Sequence, residues 1–148
     1  MDISKWTIPE MIKHISELPA KDRVNAVQQI SKLRPILREV LGYTYHKNFN
    51  FTLPAGDPPF NPMNAPYNMG LNMLHHEMRK FKYFVNNTEL HAIRREKIFI
   101  ELLESLSKEE AQVVLMMKNK KLLILSAAQW NLITVAGLLL MLAKMFPL

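Results

Sequence analysis

The sequence predicts an all-α fold, a compact bundle of about six or seven short helices. A long, ordered strap rich in proline and aromatic residues is expected between the third and fourth helices. Three observations carry this reading. Apolar residues recur at three- and four-residue spacing along much of the chain, start and stop signals punctuate that spacing, and five of the nine prolines crowd into residues 54–66. With 148 residues and 49% hydrophobic content, the chain is long enough for one domain with its own core, and disorder throughout is excluded. The expected layout is a single domain: N-terminal helices over 1–45, the strap over 46–70, central helices over 71–121 and an apolar C-terminal helix over 122–148.

The first helix opens at Thr7-Ile8-Pro9-Glu10. Thr7 can accept a backbone N–H orphaned at the helix start, Glu10 can reach back, and Pro9 needs no donor there. Ile8, Met11, Ile12 and Ile15 then share one face, until Pro19 stops the run. A second helix follows from Ala20, with Val24, Val27 and Ile30 inward and Lys21, Arg23 and Gln28 outward. The third starts near Pro35 and carries Ile36, Leu37, Val40 and Leu41, with Gly42 as its expected C-cap.

Residues 46–70 break the pattern. Pro54, Pro58, Pro59, Pro62 and Pro66 alternate with turn formers such as Gly56, Asp57 and Asn61. Phe49, Phe51, Leu53, Phe60, Met63, Tyr67 and Met69 are interleaved with them, too many large apolar side chains for a disordered linker. Two readings follow: a strap docked on the helices, its prolines lowering the entropy cost of ordering it, or a ligand for a partner's aromatic groove.

In the second half, Leu71, Leu74, Met78, Phe81 and Val85 predict one buried helical stripe ended by Asn86-Asn87, with Thr88 capping the next helix. That helix is expected over residues 89–106, with Leu90, Ile93, Ile98, Phe99, Leu102 and Leu103 on its apolar side. Lys97 and Glu101 make an i,i+4 pair on its wet side. Ser107-Lys108-Glu109-Glu110 is a capping box before a helix that turns Val113, Val114 and Met117 inward. Residues 122–143 hold no charged side chain, behind Lys118, Lys120 and Lys121. Ser126, Gln129, Asn131 and Thr134 interrupt that stretch, so its strongly apolar part is 132–143. A buried or partner-docked helix fits that length, and a membrane segment is the competing reading.

Composition removes much chemistry. With no cysteine there is no disulfide framework, thiolate metal site or cysteine nucleophile. His75 and His76 are adjacent, so on a helix they point about 100° apart, and i,i+4 from them stand Arg79 and Lys80. His14, His46 and His91 also lack a ligand at metal spacing, and neither a metal nor a cofactor is expected. Serines sit at caps or on helix faces, no glycine-rich phosphate loop exists, and Glu101 with Glu104 reads as a solvated face, so no enzyme is expected. Residues 1–6 hold no apolar run behind a basic segment, so no secretory signal is expected, and Asn50-Phe51-Thr52 and Asn86-Asn87-Thr88 are read as chance glycosylation patterns.

Two candidate surfaces remain. The excess of 19 basic over 13 acidic residues permits an acidic partner. Arg79, Lys80, Lys82 and Tyr83, with Arg94 and Arg95, interleave cations and an aromatic as a nucleic-acid face would. Glu77, Glu89 and Glu96 partly cancel that charge, and no recognised reader motif is present. The protein-interface candidates are Phe51, Pro54, Pro58, Pro59, Phe60 and Tyr67 in the strap, and Trp130, Leu138 and Met141 in the last segment.

The order of several blocks resembles a family of small proteins of T-even-like bacteriophages and marine cyanophages. The blocks are Leu53-Pro54-Ala55-Gly56-Asp57-Pro58-Pro59-Phe60 with Ala65-Pro66, Tyr83-Phe84-Val85, the run from Arg95 to Leu106, Glu109-Glu110-Ala111, and Met117-Lys118-Asn119-Lys120-Lys121-Leu122. The likeness covers residues 50–122. After Lys120-Lys121-Leu122 the family is shorter and more polar and closes on a Phe-Pro pair; Phe146-Pro147 agrees, whereas 123–143 is more apolar. That family carries no assigned activity, so the resemblance transfers no site. It implies a phage accessory protein in the cytoplasm of an infected bacterial host. The expected role is binding a larger protein of the replication, transcription or virion machinery. Nucleic-acid binding, membrane association through the last helix and self-association are the alternatives.

Overall fold

A computed structural model describes residues 3–63, 71–86, 89–122 and 124–133. Among them are seven α-helices, so the chain is helical. They are α1 (Ile8–Ser16), α2 (Ala20–Leu33), α3 (Ile36–Tyr45), α4 (Leu74–Glu77), α5 (Ala92–Ser105), α6 (Lys108–Lys118) and α7 (Ala127–Ile133). Two 3₁₀ turns, Ile3–Lys5 and Met78–Tyr83, accompany them. The chain forms two units, one of residues 1–46 with 122–148, the other of residues 47–121.

In the first unit, Thr7 and Glu10 close a reciprocal capping box at the start of α1, with Pro9 in the first turn. Ile8, Met11, Ile12 and Ile15 are buried on one face, as their spacing dictates, and α2 contributes Val27 and Ile30. α2 packs against α1, α3 and α7. Three sequence expectations give way here. Val24 is half-buried. Arg23 does not turn to solvent: its guanidinium donates to Ser16 O at the end of α1 and to the non-helical carbonyls of Leu18 and Ile124. Gly42 is not a C-cap either. α3 continues through it to Tyr45, and Gly42 is buried inside the helix.

The last segment of this unit starts later than expected, because residues 122 and 124–126 are not helical. The Tyr45 hydroxyl accepts from the N–H groups of Ile124 and Leu125 at 3.0 and 2.9 Å and donates to Leu122 O at 2.6 Å. One phenol thus satisfies backbone groups that a helix would otherwise have to pair. α7 then opens on a capping box that the sequence carries as Ser126-x-x-Gln129. Ser126 Oγ accepts from Gln129 N–H and Gln129 Oε1 accepts from Ser126 N–H, at 3.1 and 2.9 Å. Among the described residues no helix is long and apolar enough to cross a membrane. Residues 134–143 of the uncharged stretch lie outside them.

In the second unit the predicted stripe changes period. α4 is one turn long and passes into the 3₁₀ turn, where residues three apart align. Met78, Phe81 and Phe84 are therefore the buried series, with Leu74 before them. Leu71 is 82% exposed, and Val85 is half-buried in a bridge with Phe51. Phe81, Phe84 and Phe99 meet edge to face, at 5.9 and 5.2 Å between ring centres, and form the core with Leu102, Leu103 and Leu106. α5 begins three residues later than expected. His91, not Thr88, caps it by accepting from Ile93 N–H, which leaves Ile93 in the first turn and 73% exposed. Ser107 caps α6 through Glu110 N–H, but the expected box is only half formed: the buried Glu110 carboxylate accepts from Leu74 N–H, tying α6 to the start of α4.

Candidate functional site

The C-terminus of α6 is where the second unit gathers its polar chemistry. Lys121 N–H donates to Met116 O and Lys120 N–H to Met117 O, the double bond pattern of a Schellman cap. Lys120 occupies the left-handed position of that cap, φ 56°, where glycine is the residue without a steric penalty. The cap aims Lys118, Asn119 and Lys120 at the non-helical stretch that follows α3.

Lys118 Nζ donates to Gly56 O at 2.6 Å and to Asn119 Oδ1 at 3.1 Å, and Asn119 Nδ2 donates to Asp57 Oδ1 at 2.9 Å. Gly56 takes φ +81° at this point, a turn that an L side chain rarely adopts. Burial lowers the Lys118 pKa, opposed by the charge of Asp57. Lys120 is exposed as a residue, yet its ammonium donates to Phe49 O at 2.8 Å and lies 5.3 Å from the centre of the Phe51 ring. Loss of water around that end lowers its pKa to about 8.

The same stretch is held at further points. Thr52 N–H and its hydroxyl both donate to Phe84 O, and Asn61 N–H donates to Glu104 at 2.8 Å. Asn86, at φ 52°, accepts from Asn50 N–H and donates to Asn48 O. Phe49 is buried, and Phe51 packs edge to face on Phe81 at 5.9 Å. Between this stretch and α5 lies a cleft of about 370 Å³ with Leu53, Pro54, Pro58, Phe99, Ile100 and Lys118 among its walls. A second, more open cleft of about 420 Å³ shares Gly56 and Asp57 as lining residues.

The interface candidates divide. Pro54 and Pro59 are exposed, whereas Phe51, Pro58 and Phe60 are half-buried. Trp130 is buried and stacks on Tyr45 at 5.6 Å, so it is a core residue of the first unit and not a contact surface. Tyr67, Leu138 and Met141 lie outside the described residues.

The basic and aromatic candidates do not form one face. Arg79, Lys82 and Arg94 are exposed. Lys80 pairs with Glu77 at 2.8 Å, and Lys82 lies over the half-buried Tyr83 ring at 5.3 Å. Arg95 turns inward: it is buried, donating to Thr52 O at 2.9 Å and Leu90 O at 2.8 Å, because the 3.6-residue period places it on the side of Phe99 and Leu102. The His75 and His76 rings meet edge to face at 4.0 Å, and among the described residues no group of acidic or histidine side chains is placed to hold a metal.

Sequence reasoning missed Lys118, Asn119 and Arg95 as the groups that hold residues 52–57. The available signal was a basic run directly after a helix in a chain that also carries a Pro-rich stretch full of carbonyls without donors of their own.

Residues 13–123 match the family model described as Family of unknown function (DUF6433). No curated protein and no solved structure matches the chain.

Proposed function

The chain belongs to DUF6433, a family of unknown function, and we propose from its surface that it is a non-enzymatic accessory protein that binds a larger protein partner. The resemblance of residues 50–122 to small proteins of T-even-like phages and cyanophages supports a role during infection, in the host cytoplasm, on replication, transcription or virion machinery. One observation carries the reading: a Pro-rich loop with Pro54 and Pro59 exposed is fixed from beneath by Lys118 and Asn119 and flanked by an apolar cleft. On this reading residues 46–63 act as the ordered part of the expected strap, whose residues 64–70 lie outside the described ones. A loop already held in one conformation loses little entropy on binding, which is the condition under which a small surface binds tightly. Proline-bearing extended segments also offer a partner apolar area without a large ordering cost.

The nucleic-acid reading has weaker support. Of its six residues, Lys80 is paired with Glu77 and Arg95 is spent on backbone carbonyls. The exposed cations that remain are Arg79, Lys82 and Arg94, fewer than the sequence pattern offered for phosphate contacts.

The test is a pull-down of the tagged full-length chain from infected cells, with and without nuclease, comparing wild type with a Pro54→Ser/Pro59→Ser variant. The expected result is a protein partner that survives nuclease and is lost with the double substitution. Partners that disappear with nuclease and persist in the variant would place binding on nucleic acid. Recovery of the chain itself alone would make self-association its partner.

A further inference from the structure

Lys118 lines the 370 Å³ cleft and is 8% exposed. Its two hydrogen-bond acceptors, Gly56 O and Asn119 Oδ1, are neutral. Among the described residues no carboxylate lies within ion-pair distance of it, and Asp57 turns Oδ1 to the Asn119 amide instead. Asp57 acts on the ammonium by its charge without a direct contact, so much of the desolvation cost remains and a carboxylate brought into hydrogen-bond contact recovers more of it. An ammonium has three donors, and two are engaged here. The remaining walls are mostly apolar, with Leu53, Pro54, Pro58, Phe99 and Ile100 prominent, and the volume falls in the range of small-ligand sites. Glu96 and Asp57 also line the cleft and repel anions, so a carboxylate gains there only in direct contact with Lys118, and further negative charge on a ligand is disfavoured.

We propose that this cleft binds an apolar ligand ending in a single carboxylate, which accepts from Lys118 while its apolar body lies against Phe99, Ile100 and the prolines. The site does not depend on the protein-binding reading, since the ligand chemistry is the same for a free acid and for the C-terminus of a peptide.

The test uses the full-length chain and two matched pairs: 3-phenylpropionate against 3-phenylpropanol, and a short peptide ending in Phe with a free against an amidated C-terminus. Calorimetry or amide chemical shifts report binding. The expected result is that the carboxylate member of at least one pair binds about tenfold tighter than its neutral counterpart, the value of one charge-assisted hydrogen bond over a neutral one. Which pair shows the preference identifies the source of the ligand. Lys118→Met is expected to erase the preference, and Ile100→Trp, which fills the cleft without touching Lys118, to remove binding of both members. Equal binding within both pairs, no binding of any probe at millimolar concentration, or a preference that survives in Lys118→Met would each overturn the proposal. The wild-type comparison decides the matter even where Lys118→Met does not fold.

Discussion

The second unit holds two basic clusters, at 79–95 and at 118–121, and they do opposite things. In the first, Arg79, Lys82 and Arg94 are exposed, with the Lys82 ammonium over the Tyr83 ring. In the second, Lys118 and Lys120 are turned onto the carbonyls of Gly56 and Phe49 and act as struts for a proline-rich stretch. The residue types are the same, so charge does not separate them. What separates them is position: the second cluster follows a helix terminus whose Schellman cap redirects the chain, beside backbone that has carbonyls to offer and few donors. A basic run in a sequence is thus a nucleic-acid surface only after its structural uses have been subtracted.

Arg95 is the exception inside the first cluster, and replacing it gives the largest expected effect. Arg95→Ala orphans Thr52 O and Leu90 O and should lower stability by about 2–4 kcal/mol, against less than about 0.5 kcal/mol for its exposed neighbour Arg94→Ala. Urea unfolding of the two variants decides it; equal midpoints would dissolve the distinction between the clusters.

Lys118→Met should cost about 1–2 kcal/mol, because the tie to Gly56 O is lost while the cost of burying the ammonium is also removed. The same change should raise amide exchange in residues 53–57 and leave α5 protected. Protection unchanged in both regions would mean that Lys118 does not hold the loop.

At Lys120 two substitutions sharpen the picture, since each loses the bond to Phe49 O but only alanine keeps the left-handed penalty. Lys120→Gly is expected to be about 1 kcal/mol more stable than Lys120→Ala in thermal or urea unfolding. If alanine equals or exceeds glycine, the cap is not left-handed there.

The smallest effect is a pH dependence. The Lys120 pKa falls from the ordinary 10.5 to about 8 in the folded chain, so between those values the unfolded state binds more protons. The penalty is fully present below pH 8, and the stability of wild type relative to Lys120→Gln should therefore rise as pH climbs from about 8 to 10.5. Urea midpoints of both proteins at three pH values test the sign. A flat or falling difference would show that the ammonium keeps its water.

Local signals were the legible part of this fold. Thr7 with Glu10 and Ser107 with Glu110 cap where their spacing says, and Ile8, Met11, Ile12 and Ile15 bury as a 3.6-residue face. Val85 was misread because the chain adopts a three-residue period after Glu77, which buries Phe84 in its place, and Leu71 because it precedes the first turn of α4. The late start of α7 depends on the Tyr45 hydroxyl, far away in sequence, although the Ser126–Gln129 box was readable. The candidate site was half legible. The prolines and aromatics of 49–60 marked its surface, but Lys118 and Arg95 entered it through carbonyls, and carbonyl positions leave no trace in side-chain chemistry.

The most direct test of the central claim, that the exposed proline loop and not the basic cluster is the binding surface, is site-specific photo-crosslinking in infected cells. A photoreactive residue would replace Pro59 in one variant and Arg79 in another, with nuclease added after irradiation. A discrete protein adduct from position 59 that survives nuclease, with none from position 79, is the predicted result. Adducts from position 79 alone, or adducts that nuclease removes, would contradict it.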